Sequence, residues 1–122
     1  MLPKKNRLKT KKDFDTVYKN GRSLKTPYFN FIYLKNRKQE DIPRGFLLPR
    51  FGFVASKKVG KAVKRNKAKK LLREVVRAEL PSLLKNFEAV FIAYDTMPMT
   101  DFVIVQKTVK SVFQKAELYF LV

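Results

Sequence analysis

Cysteine is absent from the 122-residue chain, and so is histidine. The first absence rules out disulfides, thiolate nucleophiles and cysteine-ligated zinc. The second removes the imidazole general base, the Ser-His and Cys-His nucleophile pairs and nitrogen-ligated metals, and with them most protein-borne hydrolysis. No apolar run approaches the ~20 residues that span a bilayer, and Met1 to Lys12 carries basic residues with no apolar stretch behind them. Neither a membrane span nor a secretion signal is therefore expected, and the expected location is cytoplasmic. Internal repeats and Gly/Ser- or Pro-rich linkers are also missing. Acidic side chains are scarce: 10 Asp and Glu stand against 28 Lys and Arg, a formal net charge of +18. At this length such an excess resists compaction unless a polyanion offsets it. Nucleic acid is the expected partner, because neutralising phosphates releases condensed counterions; an anionic membrane surface is the alternative.

What is present is enough to fold. Apolar residues make up 45% of the chain and aromatics 13%, which suits one domain over residues 1–122. Residues 1–9 read as a basic tail, mobile until bound. Thr10 stands three residues before Asp13, a weak capping box, and Phe14, Val17 and Tyr18 follow at helical spacing until Asn20-Gly21 stops the run. Thr26 to Lys35 alternates as a strand, with Phe29, Phe31 and Tyr33 on one face and Asn30 and Ile32 on the other. Asn36 to Pro49 reads as a loop, with Gly45 to Leu48 a candidate extra strand. Arg50 to Ser56 is a second long strand. Ala68, Leu71, Leu72, Val75, Val76 and Leu80 form one stripe of a helix over Val63 to Leu80, which Pro81 closes. Glu88 to Tyr94 is a short buried strand, and Thr100 is expected to cap a last helix carrying Phe102, Val105, Val109, Val112, Phe113 and Ala116. This order predicts an α+β two-layer sandwich: a small mixed sheet of three to four strands carrying three helices.

The charge is concentrated in one place. Between Lys57 and Arg77 there are ten basic residues and a single acidic one, Glu74. On a helix, Arg65, Lys69 and Arg73 fall along one edge with Asn66, Lys70 and Arg77 beside them, opposite the apolar stripe. A plain solvated face is the alternative reading, but such faces mix both signs. Here nearly every charge is positive, and the planar donors of Arg65 and Arg73 suit phosphate oxygens.

The stretch Phe51-Gly-Phe-Val-Ala-Ser-Lys-Lys-Val-Gly-Lys-Ala-Val-Lys-Arg-Asn-Lys-Ala-Lys-Lys-Leu-Leu-Arg-Glu resembles the signature of the bacterial ribonuclease P protein family. It joins a strand end at Ser56-Lys57-Lys58, a Gly-containing turn and a helix opening on Arg65-Asn66-Lys67. Asn6-Arg7-Leu8, Asp13-Phe14, Val17-Tyr18 and the spacing to the last helix extend the likeness over nearly the whole chain. Lys67 departs from the Arg often found third in the Arg-Asn-Arg motif, which keeps the charge but loses a bidentate donor, and Pro43 to Pro49 is extra loop. The resemblance implies that Lys57, Lys58, Lys61, Arg65, Asn66, Lys67, Lys69, Lys70 and Arg73 lie in or beside a surface that docks on the catalytic RNA. It also implies a left-handed β-α-β crossover, against the usual right-handed preference.

The same resemblance implies a second site, a shallow cleft between the first helix and the sheet that holds the single-stranded 5′ leader of precursor tRNA, with Phe14, Tyr18, Asn30 and Ile32 at its matching positions. Aromatic faces beside a cationic track bind single-stranded RNA without strict sequence choice. From spacing alone Phe14 and Tyr18 would be core residues. Phe29, Phe31 and Tyr33 are expected in the core rather than on the leader. The close carboxylate pairs, Asp13 with Asp15, Glu40 with Asp41 and Glu74 with Glu79, read as caps, a loop tip and helix surface, so no catalytic or metal-ligating residue is assigned to the chain. The resemblance gives cleavage to the RNA, with Mg²⁺ held mainly by it, and no further protein partner is required. Three rivals remain: a structural RNA-binding protein, a DNA-binding module and a nuclease acting unaided.

Overall fold

The computed structural model describes residues 6–35, 49–84, 87–97 and 101–119. Helix α1 spans Lys11–Asn20, and its start is a full capping box. Thr10 Oγ1 accepts from the Asp13 N–H at 3.1 Å while Asp13 Oδ2 accepts from the Thr10 N–H at 3.3 Å, so two of the first-turn donors have partners. Strands β1 (Arg22–Lys25) and β2 (Phe29–Lys35) form a hairpin. Its turn is built by Thr26, whose hydroxyl accepts from the N–H groups of Tyr28 and Phe29 and donates to the Phe29 carbonyl. The strand expected from Thr26 therefore starts at Phe29. Strand β1 has no counterpart in the sequence reading, because Arg-Ser-Leu-Lys has neither the alternation nor the β-branched content of a strand.

Strand β3 (Arg50–Ala55), helix α2 (Ala62–Glu79), strand β4 (Phe87–Ala93) and helix α3 (Phe102–Lys115) follow. Leu80–Ser82 ends α2 in a tight turn with Pro81 inside it. Asp101, rather than Thr100, caps α3, its Oδ1 accepting from the Ile104 N–H at 2.9 Å; Thr100 and the candidate strand at Gly45 to Leu48 lie outside the described residues.

The sheet order is β1-β2-β4-β3, with antiparallel β1/β2 and β2/β4 pairs and a parallel β3/β4 pair. Strands β3 and β4 with α2 between them make the β-α-β unit. The register aligns Phe31, Phe91 and Phe53 across three strands. On that face, against α2 and α3, Phe29, Phe31, Phe51, Phe87, Phe91 and Phe113 are sealed with Leu72, Val75, Val76, Val105 and Val109. Fully burying side chains of this size contributes ~1.5 to 3 kcal/mol each. On the opposite face α1 packs over a smaller cluster of Leu8, Val17 and Val90, with Phe14, Ile32, Val54 and Ile92 only partly covered.

The described part of the basic N-terminal segment lies against β3: Leu8 is 7% exposed and its N–H donates to the Phe51 carbonyl at 2.8 Å. Arg7 bridges Phe51 in parallel, and Asn6 Nδ2 donates to the Pro49 carbonyl at 2.7 Å. Leucine in place of another lysine supplies the apolar anchor, and the segment covers part of the outer edge of β3, which would otherwise present unpaired backbone groups.

Candidate nucleic-acid interface

The cationic surface begins where β3 ends. Ser56 caps a short turn over Lys57–Val59 by accepting from the Lys58 N–H, and Val59 is buried beneath it. Lys57 and Lys58 are thereby held outward. Gly60, at φ 134°, reverses the chain into α2 in a conformation that side chains disfavour. Lys61, Asn66, Lys67 and Lys70 are exposed on α2, and Arg65, Lys69 and Arg73 run half-buried along its flank. The Arg73 guanidinium carbon sits 5.8 Å from the centre of the Phe53 ring, a cation–π contact that holds it at the β3 edge. All nine positions of this site read from the sequence, eight cations and Asn66, thus fall on one continuous stretch, the turn and the outward side of α2. Lys64 and Arg77 are exposed there too.

Two electrostatic facts set this surface apart. Glu74, the one acid in the segment, lies 3.9 Å from Arg77, so the helix towards its N-terminus is purely cationic. That end also has no acidic residue in the first turn and no side-chain cap, Lys61 standing at the N-cap. A helix N-terminus favours anions and disfavours Lys and Arg. Here the residues work against local stability, and a bound polyanion would reverse the sign while taking up the free N–H groups.

The second surface lies on the other side of the sheet. Gly52 lets Phe14 approach the sheet: a Cβ there would overlap the Phe14 ring. Tyr18, one turn later, is 41% exposed, its ring centre 6.3 Å from that of Phe14. Burial, aided by the Asp15 carboxylate, pushes the Tyr18 phenol above its ordinary value. Asn30 and Ile32 are half-buried on the β2 face turned towards α1. The structure therefore brings Phe14, Tyr18, Asn30 and Ile32 to one face, and adds Val54 and Ile92, which the register sets in one row with Asn30. It adds Ser23 as well, whose hydroxyl donates to Asn30 Oδ1 at 2.6 Å and so leaves the amide N–H groups to face outward. Nothing in the sequence marked Ser23, because its strand carries no strand pattern.

Beneath this cleft sits a buried charge group. Arg50 (1% exposed) pairs with Glu88 (0%), its neighbour in the β3/β4 register, and reaches Asp13 at 3.5 Å. Burial pushes the Asp13 carboxyl up, but the Arg50 guanidinium and the N–H groups of Thr10 and Lys9 outweigh it, so the net shift is downward. The group ties the first turn of α1 to the sheet one residue before Phe14. Glu79 is engaged as well: it meets the Tyr119 hydroxyl at 3.3 Å and Lys110 at 3.6 Å. Glu40 and Asp41 lie outside the described residues. Among the described residues no cluster of three or more metal-ligating side chains forms, and no helix is long and apolar enough to cross a membrane.

The chain is similar to known proteins over nearly its whole length. The family model of ribonuclease P matches residues 2–117. The ribonuclease P protein component of Clostridium botulinum is 35% identical over 93% of this chain and 90% of its own length; that of Bacillus velezensis is 36% identical over 97% and 95%. The ribonuclease P protein of Staphylococcus aureus superposes with a TM-score of 0.78 at 27% identity, covering 94% of this chain and 98% of that one. The Thermotoga maritima protein gives 0.73 at 30% identity, covering 89% and 96%. With one fold, one order of elements and a match along nearly all its length, the chain belongs to the ribonuclease P protein family.

Proposed function

We propose that this chain docks on the catalytic RNA of ribonuclease P through the Lys57 to Arg73 surface and holds the 5′ leader of precursor tRNA between α1 and the sheet. Family membership carries a role in an endoribonuclease holoenzyme and in tRNA processing, with RNA as partner. The observation that favours two RNA sites over one is their separation: the cationic helix packs on one face of the sheet and the aromatic cleft opens on the other. Both RNAs can then be held at once.

The holoenzyme would hydrolyse the phosphodiester bond joining leader to mature tRNA, leaving a 5′ phosphate, in the cytoplasm. Phe14 and Tyr18 stack leader bases, each stack worth ~1 to 3 kcal/mol. Asn30 donates from its amide to the leader. Mg²⁺, held mainly by the RNA, supplies charge neutralisation and water activation. The protein contributes leader affinity and relief of phosphate repulsion, and has no cleavage activity alone.

The test is 5′ leader removal at low Mg²⁺ by a bacterial ribonuclease P RNA, with and without this protein. Stimulation, with none from RNA-free protein, is the expected result. Tight RNA binding without stimulation would replace this reading with that of a structural RNA-binding protein.

A further inference from the structure

At the edge of the sheet away from α2, strand β1 and helix α3 enclose a groove of about 300 Å³. Leu24 and the buried Val112 form its base, and its charged walls are Lys25 on the strand side with Lys107 and Lys115 on the helix; no carboxylate lines it. Lys107, Ser111 and Lys115 succeed one another at four-residue steps, so they stand in one row along α3, ~12 Å from first to last. All three lysines are exposed, and among the described residues none has an ion-pair partner. Lys110, on the same helix, differs: it pairs with Glu79 at 3.6 Å. One face of α3 is thus neutralised internally, while on the face over the groove Lys107 and Lys115, with Ser111 between them, stand across from Lys25 of β1.

Surface lysines are ordinarily interspersed with acids. Three without partners around one concavity repel each other, and an anion threaded between them removes that repulsion. The row has the form of a track rather than a pocket, which suits a chain of phosphates better than a single small anion, and lysine binds phosphate as a point charge without demanding a fixed orientation. The α2 surface packs by β3, at the other end of the strand order, three strand spacings or ~14 Å away.

We propose that the β1/α3 groove is a second phosphodiester-backbone site, holding an RNA segment different from the one met by α2. It rests on the RNA-binding reading above, and the segment could belong to the catalytic RNA or to the precursor tRNA.

The experiment uses the full chain carrying Lys25→Gln, Lys107→Gln and Lys115→Gln together. Affinity is measured against salt in two arms: the protein for a ribonuclease P RNA transcript, and the assembled holoenzyme for a precursor tRNA transcript. A fall of ~2 to 3 in the slope of log affinity against log salt is expected in one arm, at 0.7 to 0.9 per phosphate contact. A fall in the first arm assigns the groove to the catalytic RNA, and in the second to the substrate. The matching Lys→Arg triple variant should keep the native slope. Unchanged slopes in both arms, while Arg65→Ala with Arg73→Ala lowers the first by ~2, overturn the groove and leave the α2 reading intact. If the α2 variant also changes nothing, the RNA-binding reading fails and the groove falls with it.

Discussion

On the α2/α3 side of the sheet six phenylalanines are sealed at 0 to 1% exposure, with rings in mutual contact: Phe31 and Phe91 lie 4.9 Å apart between centres, Phe51 and Phe87 5.6 Å. On the α1 side the buried apolar residues among those described are Leu8, Val17 and Val90, and Phe14, Ile32, Val54 and Ile92 remain part-exposed around them. The first face is a hydrophobic core. The second is covered by one ten-residue helix, too narrow to close four strands, and the remaining apolar strip stays available to a ligand. What holds α1 in place is correspondingly different: Val17 and the Phe14 ring over Gly52, with the Asp13–Arg50–Glu88 group under the first turn, rather than a sealed aromatic cluster. One sheet thus closes a core on one side and leaves a partly open apolar surface on the other.

The sharpest way to break that comparison is Phe91→Ala. It removes the ring at the centre of the core and should cost ~3 to 5 kcal/mol of stability, read by denaturant unfolding. A loss under 1 kcal/mol would mean that this face is not the main core. Next comes Arg50→Met, which leaves Glu88 buried without its cation and should cost up to ~3 to 5 kcal/mol. Arg50→Met with Glu88→Leu should recover most of that stability while still releasing the Asp13 end of α1. Full recovery of precursor affinity along with stability would show that the charge group does not position the cleft.

Phe14→Ala should behave in the opposite sense to Phe91→Ala. Its effect on stability should be the smaller, whereas affinity of the holoenzyme for precursor tRNA should fall by ~1 to 3 kcal/mol relative to mature tRNA. Equal losses for both RNAs would remove the cleft assignment. The smallest effect is that of pH. Asp13 is held below its ordinary value of 3.8, so its pairing contributes fully above that pH and is lost as pH falls through the depressed value. Asp13→Asn should flatten that part of the acid limb of the stability curve, and an unchanged acid limb would show that the pair with Arg50 contributes nothing.

The amino-acid sequence by itself determined whatever depends on short-range pattern. The stripe from Ala68 to Leu80, the alternation at Phe29, Phe31 and Tyr33, the stop at Asn20-Gly21 and the charge bias after Lys57 all follow from periods of 3.6 or 2 and from local backbone preferences. The candidate surfaces were legible to the same extent: the basic positions sit on one turn and one helix, so spacing sufficed to put them together, whereas only family resemblance set Phe14 and Tyr18 apart from ordinary core residues as candidates. Tertiary structure alone decided the rest. β1 is a strand because β2 offers it hydrogen-bond partners, despite its polar composition. Arg50 and Glu88 read as strand-end charges until the parallel register of β3 and β4 set them side by side under α1. Leu8 joined the core, and Ser23 met Asn30, through contacts between segments 43 and 7 residues apart. Lys25 and Lys107 lie 82 positions apart and face one groove only because α3 packs beside the edge strand. A local pattern records which face of an element is apolar; which elements share that face is settled when the chain closes on itself, because burial rewards the whole assembly rather than any one segment.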